Sequence, residues 1–142
     1  MSYKFNPFSG EFAIVNKIVA AANVLLQNVP CDSSVQVGDV VRMDSSGTAF
    51  PALADTLSNS NAIGLAESKS SSTICDIRVL GVTPSIFSSL DPTLEYYLSD
   101  TTPGAITTSV PSPGSGHVVL KVGQPFSDSE FLVLKGERYE RA

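Results

Sequence analysis

The stretch T-I-C-D-I-R-V-L-G at residues 73–81 decides the fold, because its side chains alternate between two sets without interruption. Side chains of an extended strand point in turn to the two faces of a sheet. The buried face is predicted to carry Cys75, Ile77 and Val79. Asp76 and Arg78 are then predicted to lie on the opposite face, toward solvent or a subunit contact. The stretch therefore predicts a half-buried β-strand.

Outward from this strand, short apolar runs alternate with clusters of Ser, Gly, Pro and Asp at roughly the 8–12-residue spacing of all-β proteins. The clearest hairpin is centred on Asp44-Ser45-Ser46-Gly47, between strands over 40–43 and 48–53, because Gly47 can adopt a positive φ. The pattern predicts an all-β fold, a single β-sandwich or barrel, jelly-roll-like, of roughly nine short strands. Jelly roll, other sandwich and closed barrel stay open, because the sequence does not reveal the strand order.

The remaining elements follow from β-branched residues and turn residues. Two strands are predicted within 13–29, with a kink near residues 20–23 and with Pro30 ending the second, since proline cannot donate to a ladder. Further strands are predicted over 62–67, 95–99, 105–110, 117–124 and 130–135. Residues 68–72 are predicted to form a turn, 84–90 one turn of helix, and 138–142 a charged tail.

The 142 residues are predicted to form one domain at 13–142, preceded by an extended arm at 1–12. The arm carries Tyr3, Phe5, Pro7, Phe8 and Phe12 without a period of 2 or 3.6. Four aromatic side chains in an irregular segment have to pack on something. Either the protein's own barrel or a neighbouring subunit can provide that surface, and the arm is the predicted partner-binding element.

The composition of the chain limits the classes of partner that it is predicted to bind. A formal net charge of −5 argues against binding to phosphate backbones, so no nucleic acid partner is predicted. The apolar run at 18–26 is interrupted by Asn23 and is too short to span a bilayer, so neither a membrane association nor an export signal is predicted. Hydrophobic residues make up 42% of the chain and charged residues 16%, which suggests that partner subunits cover part of the apolar surface. Cys31 and Cys75 are predicted to be buried, reduced thiols.

Catalytic signatures are sparse, and we predict no enzyme, no cofactor and no metal site. His117 is the single histidine and begins an apolar run, and the chain has no G-x-S-x-G elbow. Asp91, Glu95 and Asp100 have no metal-ligand spacing and are predicted to be turn and rim residues. Tyr3, Tyr96 and Tyr97 could stack on a sugar, although core or interface packing is the commoner use; of Tyr96 and Tyr97, one is predicted to be core and the other rim.

Two parts of the sequence resemble virion proteins of tailed bacteriophages. The opening Tyr3-Lys4-Phe5-Asn6-Pro7-Phe8-Ser9-Gly10 resembles the N-P-F-[S/T]-G start of several phage structural proteins. The body resembles a small β-domain of capsid decoration (cement) proteins, which also occurs as a module in tail fibres. The matching phrases are Val37-Gly38-Asp39-Val40-Val41, Ala62-Ile63-Gly64-Leu65-Ala66-Glu67-Ser68, Ile77-Arg78-Val79-Leu80-Gly81-Val82, Leu90-Asp91-Pro92 with Tyr96-Tyr97-Leu98, and Val122-Gly123-Gln124.

The resemblance implies a virion structural protein made in the host cytoplasm and located on the capsid exterior. It would stabilise the capsid by binding at junctions between major capsid protein subunits, as a homodimer or homotrimer. The alternative is a tail-fibre, collar or head-fibre protein with a carbohydrate-binding β-domain that contacts the host surface. A chain that begins at its own Met and holds little beyond one domain favours the stand-alone decoration protein. A non-viral carbohydrate-binding module and an uncharacterised enzyme are the remaining readings.

Overall fold

The computed structural model describes residues 23–142, which form β-strands and turns and contain no helix. This confirms the all-β prediction. The described residues contain ten strands rather than about nine. They are β1 (Val24–Pro30), β2 (Val40–Met43), β3 (Ala49–Pro51), β4 (Ala62–Ser71), β5 (Ile74–Val82), β6 (Tyr96–Leu98), β7 (Ile106–Thr107), β8 (Val118–Pro125), β9 (Phe131–Val133) and β10 (Arg138–Glu140).

The strands form one sheet in which every pairing between named strands is antiparallel. Its main path runs β3-β2-β4-β5-β9-β8-β6-β7, with β1 added beside β5 and β10 beside β8. β5 is central, since it pairs with both β1 and β4 before its last two residues pair with β9. The strand predicted at 73–81 therefore lies at the centre of the sheet.

The sheet curls into a half-barrel, and backbone hydrogen bonds join its two ends. Gly104 N donates to Ala52 O at 2.7 Å, and Ala54 N donates to Ser99 O at 2.9 Å. Val118 N also donates to Ala54 O, at 2.9 Å. The segment after β3 is thereby fixed against the loops that flank β7 and the start of β8.

The larger core lies inside the curl. Phe131 of β9 is fully buried at its centre, and its ring packs edge-on against Tyr96, with 6.0 Å between ring centroids. Phe87, from the loop after β5, packs on the same ring at 5.8 Å. Leu65, Leu98 and other buried apolar residues from β2, β4, β6, β8 and β9 complete this core.

A smaller core covers the opposite face of β2, β4 and β5. Neighbours in sequence divide between the two cores, with Val40 in the larger core and Val41 in the smaller. Cys31, Val35, Cys75 and Ile77 fill the smaller core, and β1 lies over it through Leu26 and Val29. Burial on both faces explains why β2 and β4 contain runs of consecutive buried residues.

Several predictions of local structure are confirmed. Cys75 and Ile77 are fully buried and Val79 packs at the edge of the same core, as the alternation in β5 requires. The 44–47 hairpin forms between β2 and β3, with Gly47 at a φ of 85°. Pro30 is the last residue of β1.

Other predictions need correction. Residues 84–90 form bends rather than a turn of helix, and 68–71 belong to β4 because they pair with β5. The predicted charged tail contains β10, which pairs with β8. Arg78 does not face solvent, since its side chain is 15% exposed and forms a two-bond ion pair with Glu67. The predicted arm at 1–12 and the predicted strand before residue 23 lie outside the described residues.

Candidate functional site

The predicted binding residues Tyr3, Phe5, Pro7, Phe8 and Phe12 all lie outside the described residues. What the structure describes is the strand into which this part of the chain leads. β1 pairs with β5 on one side, and no other strand of residues 23–142 pairs with it. Among the described residues β1 is thus an edge strand, and an edge strand can accept a further strand through its backbone groups.

β1 is irregular in a way that suits an exposed edge. Its register with β5 shifts between Leu26 and Val29, and Asn28 adopts a positive φ of 57°. The Asp76 carboxylate accepts a 2.9 Å hydrogen bond from Asn28 N, which fixes the bulge. Bulges re-aim a strand and limit its pairing with other chains, so they are common at sheet edges.

Large apolar side chains are exposed around the half-barrel. The most exposed is Phe126, at 68%, in the turn between β8 and β9. Gln124 Nε2 donates to Pro92 O at 3.0 Å and so holds the loop of exposed Leu94 beside the end of β8. Val24, Val37, Leu57, Val110, Leu134 and Tyr139 are also more than a third exposed.

No protein-family model matches this chain. No curated protein and no solved structure matches it either.

The two adjacent tyrosines of β6 separate as predicted, one to the core and one to the outer surface. Tyr96 is buried, and its hydroxyl accepts a 3.1 Å hydrogen bond from Asp91 N. Tyr97 lies on the outer face, opposite Lys121 of β8. Tyr139 of β10 pairs with Val119, two residues before Lys121, and so lies on the same face of β8.

Tyr97, Tyr139, Lys121 and Glu95 form what we call the tyrosine face. Lys121 Nζ donates to Glu95 Oε2 at 2.9 Å, and Tyr97 donates its hydroxyl to Glu95 Oε1 at 3.2 Å. These bonds, with Lys121 the stronger influence, lower the pKa of Glu95. Desolvation and the Glu95 carboxylate raise the pKa of Tyr97, and nearby Tyr139 adds to the effect. Sequence reasoning missed Tyr139 because its strand was predicted to be a tail.

His117 lies beside a carboxylate. Its Nδ1 is 2.9 Å from Asp100 Oδ2, and both side chains are partly exposed. Ser115 Oγ accepts a hydrogen bond from the backbone N of His117 rather than from its ring. Within residues 23–142 no serine or cysteine side chain bonds to the His117 ring, so the structure brings together a pair and not a triad. The absence of catalysis by His117 stays a prediction.

Cys31 and Cys75 are distant in sequence but adjacent in the smaller core, and both are free thiols. Burial raises the pKa of Cys75 to about 12, and a hydrogen bond with the Cys31 thiol contributes. A thiol is a poor nucleophile when its pKa is this high, because the reactive form is the thiolate. Cys75 is therefore expected to be a poor nucleophile in the folded protein.

The carboxylates considered as metal ligands serve other contacts. Asp91 accepts hydrogen bonds from the backbone N and the hydroxyl of Thr93, while Glu95 and Asp100 have the partners given above. Across residues 23–142, no group of three or more His, Cys, Asp and Glu side chains has a geometry that could hold a metal ion. The part of the chain that the structure describes holds no helix long and apolar enough to cross a membrane.

Proposed function

We propose that this protein is a virion structural protein that decorates a phage capsid. In this role it binds, as a homodimer or homotrimer, at junctions between major capsid protein subunits on the exterior of the shell. The observation that carries the proposal is the edge of β1, which among residues 23–142 pairs only with β5 and which follows, later in the sequence, the aromatic segment that resembles the start of phage structural proteins.

The position of the resembling phrases supports the domain type. They fall on the turn into β2 and on β2, β4, β5, β6 and β8, which lie along the main path of the sheet, and on the loop at 90–92 before β6. Most of the phrases thus lie on strands of the sheet. The finer architecture of the proposal is a jelly-roll-like sandwich or barrel, and the hydrogen bonds that join Ala52 and Ala54 to Gly104 and Ser99 favour such closure.

Strand addition at the edge of β1 explains how the protein would bind a capsid shell. An added strand gains affinity from main-chain hydrogen bonds, and alternate side chains provide specificity. The aromatic side chains of the predicted arm then add apolar area, at roughly 25 cal/mol per Å² buried, before the cost of association is subtracted. Repetition at every equivalent junction makes many modest contacts act together.

The test is binding to purified shells that lack this protein, with imaging by cryo-electron microscopy. We expect regular density at two-fold or three-fold junctions. A variant without residues 1–12 is expected to keep the far-UV circular dichroism of the β-fold and to lose binding. A second variant keeps the length of the arm but replaces Tyr3, Phe5, Phe8 and Phe12 by Ser, so it separates the aromatic side chains from the backbone.

Density confined to the tail vertex, or no density, would overturn the decoration role. Full occupancy by the shortened variant would refute the arm as the binding element while leaving decoration standing. Binding by the serine variant at full occupancy would show that the backbone of the arm suffices.

One observation favours a second function, recognition of a host-surface glycan by a fibre or collar protein. The tyrosine face places two phenol rings on one side of β8 with a Lys–Glu pair beside them, and Tyr139 is 54% exposed. Exposed aromatic rings with polar neighbours suit the apolar faces and hydroxyls of sugars. On a glycan array, Tyr139→Ala is expected to lose any binding that Tyr139→Phe retains, and equal binding by both variants would exclude this face.

A further inference from the structure

Cys31 and Cys75 are brought together by the pairing of β1 with β5. In the register of these strands Pro30 lies opposite Ile74. The ladder continues for one more residue, since Cys31 N donates to Thr73 O at 2.8 Å. Cys31 therefore lies opposite Thr73, and Cys75 is its diagonal neighbour on the same face of the sheet.

The two thiols contact each other inside the smaller core. Cys75 is fully buried and Cys31 is 3% exposed. A hydrogen bond with the Cys31 thiol helps to raise the pKa of Cys75. Both cysteines are free thiols, and the chain contains no others. Each cysteine therefore has one possible disulfide partner within the chain.

β1 is the strand of this pair that has more freedom to move. Among residues 23–142 it pairs only with β5, whereas β5 is also held by β4 and β9. The register of β1 with β5 shifts twice, between Val24 and Leu25 and between Leu26 and Val29. Segments with few partners open at a lower free energy than the centre of a sheet does. Opening of β1 would expose both thiols to water.

We propose that Cys31 and Cys75 form a reversible disulfide that tethers β1 to β5 when the protein enters an oxidising environment. The oxidant is a low-molecular-weight disulfide such as oxidised glutathione. In a reducing compartment the two thiols stay free. The inference goes beyond the proposed function, because it concerns the chain itself and requires no partner protein.

The reaction is a thiol–disulfide exchange in two steps. Cys31 reacts first, because it lies at the end of the strand that opens. Its thiol loses a proton, and the sulfur attacks oxidised glutathione to form a mixed disulfide and release one glutathione. The Cys75 thiolate then attacks the Cys31 sulfur and displaces the second glutathione. The cysteines lose two electrons and two protons, and these convert one oxidised glutathione into two reduced molecules.

The diagonal position of the two cysteines predicts that the disulfide is readily reduced. Diagonal neighbours on antiparallel strands have Cα atoms about 7–8 Å apart, whereas a disulfide joins Cα atoms that are at most about 7 Å apart. β1 therefore has to shift slightly relative to β5 when the bond forms. A disulfide that is strained in this way has a higher reduction potential than a structural one.

The test treats the full chain with oxidised glutathione. We expect its intact mass to fall by two hydrogen atoms, and proteolysis to release a peptide pair that joins Cys31 to Cys75. The melting temperature is expected to rise by about 5 °C, because the bond restricts the unfolded chain. Amide hydrogen exchange in β1 is expected to slow at least about fivefold. Excess reduced glutathione is expected to reverse all of these changes.

Controls assign the effect to this pair. β10, at another edge of the sheet beside β8, is expected to exchange at an unchanged rate. Cys31→Ala and Cys75→Ala each keep a small apolar side chain in the core, so both are expected to fold. Oxidised glutathione is expected to leave the melting temperature and the β1 exchange of each variant unchanged. Each variant removes the partner of the other cysteine, so either one suffices.

The inference would be overturned by two unmodified thiols after incubation with oxidised glutathione at a concentration that cross-links the urea-unfolded chain. A disulfide that joins two copies of the chain would also overturn it, because the diagonal pair would then not be the reacting one. A cross-link that excess reduced glutathione fails to remove would refute the reversibility.

Discussion

Arg78 and Glu67 form the ion pair with the least contact with water among the described residues. Arg78 Nε and Nη2 donate to the two Glu67 oxygens at 2.9 and 3.2 Å, with side chains 15% and 8% exposed. Removing one partner of such a pair leaves a poorly solvated charge behind. We therefore expect Glu67→Gln to lower the free energy of unfolding by about 3 kcal/mol, measured by urea denaturation.

Two further variants test whether burial of the Arg78–Glu67 pair causes this loss of stability. Lys121→Gln breaks the more exposed Lys121–Glu95 pair and is expected to cost less than about 1 kcal/mol. The double variant Glu67→Leu with Arg78→Met replaces the buried pair by apolar side chains and is expected to recover most of the stability. A Glu67→Gln protein as stable as the parent would contradict the assignment.

Gly123 of β8 has no room for a side chain. A Cβ atom there would lie 2.0 Å from the carbonyl oxygen of Leu132 and 2.9 Å from the ring of Phe131. Since the first of these atoms belongs to the backbone of β9, the clash cannot be relieved by rotating a side chain. Gly123→Ala is expected to lower the melting temperature and to cost at least about 2 kcal/mol.

Gly136→Ala is the matched control for this substitution. Its Cβ would meet Lys121 Cβ at 3.5 Å, an ordinary contact, so its melting temperature is expected to stay near that of the parent. Similar stabilities for the two alanine variants would show that β8 and β9 can separate to admit a methyl group.

At the scale of elements, three turns are held by aspartates in the same way. The carboxylates of Asp32, Asp44 and Asp91 each accept bonds from the backbone N and the hydroxyl of the residue two positions later. These bonds lower the pKa of all three carboxylates. For Asp44 the largest effect is a further bond from Thr48 N.

A dependence of stability on pH follows. Because the folded pKa of each of these aspartates lies below its unfolded value, each stabilises the fold above about pH 4 and loses that contribution as pH falls through the folded pKa. Asp39 acts in the opposite sense, since burial raises its pKa and its contribution grows as pH falls. Three of these four carboxylates have a lowered pKa and one has a raised pKa. The melting temperature is therefore expected to decrease as the pH falls below about 4.

The Asp44→Asn variant isolates one turn. Its melting temperature is expected to lie below that of the parent at pH 6, and the gap is expected to close as the pH falls through the lowered folded pKa of Asp44, where the parent's side chain also becomes neutral. Asp128→Asn is the control, because in the described residues its carboxylate accepts no hydrogen bond. A gap for Asp44→Asn that stays constant with pH would contradict this account.

The elements that could be predicted from sequence are those fixed by local chemistry. The β2–β3 hairpin follows from Gly47 and the Asp44 carboxylate, and the buried face of β5 follows from alternation. The missed features depend on distant partners. β10 forms because β8 offers it an edge, and β4 continues past Glu67 because β5 pairs with it.

Surface features that depend on strand pairing between distant parts of the chain could not be predicted from sequence either. Tyr97 could be identified from sequence, but Tyr139 joins it only through the β8–β10 pairing. Alternation in β5 predicts that Arg78 faces solvent or a subunit contact, whereas its side chain is 15% exposed and forms an ion pair with Glu67 of β4.

At the scale of the whole molecule, the proposed position at capsid junctions requires symmetry. A protein bound at a two-fold or three-fold junction is expected to be a dimer or trimer on the shell, and a stable one to be so in solution. Native mass spectrometry of the full chain is expected to show two or three times the chain mass. A monomer at micromolar concentration would contradict a preformed oligomer and would mean that the shell itself assembles the copies.

The pairing of β1 with β5 links strands that are far apart in the chain, so forming it costs the conformational entropy of closing the intervening chain into a loop. β5 in turn needs β4 on one side and β9 at its end. The edge proposed for docking thus exists only once the sheet is built around β5. Newly made chains would be unable to bind a shell until they have folded. We therefore expect folding of the sheet to precede assembly on the shell.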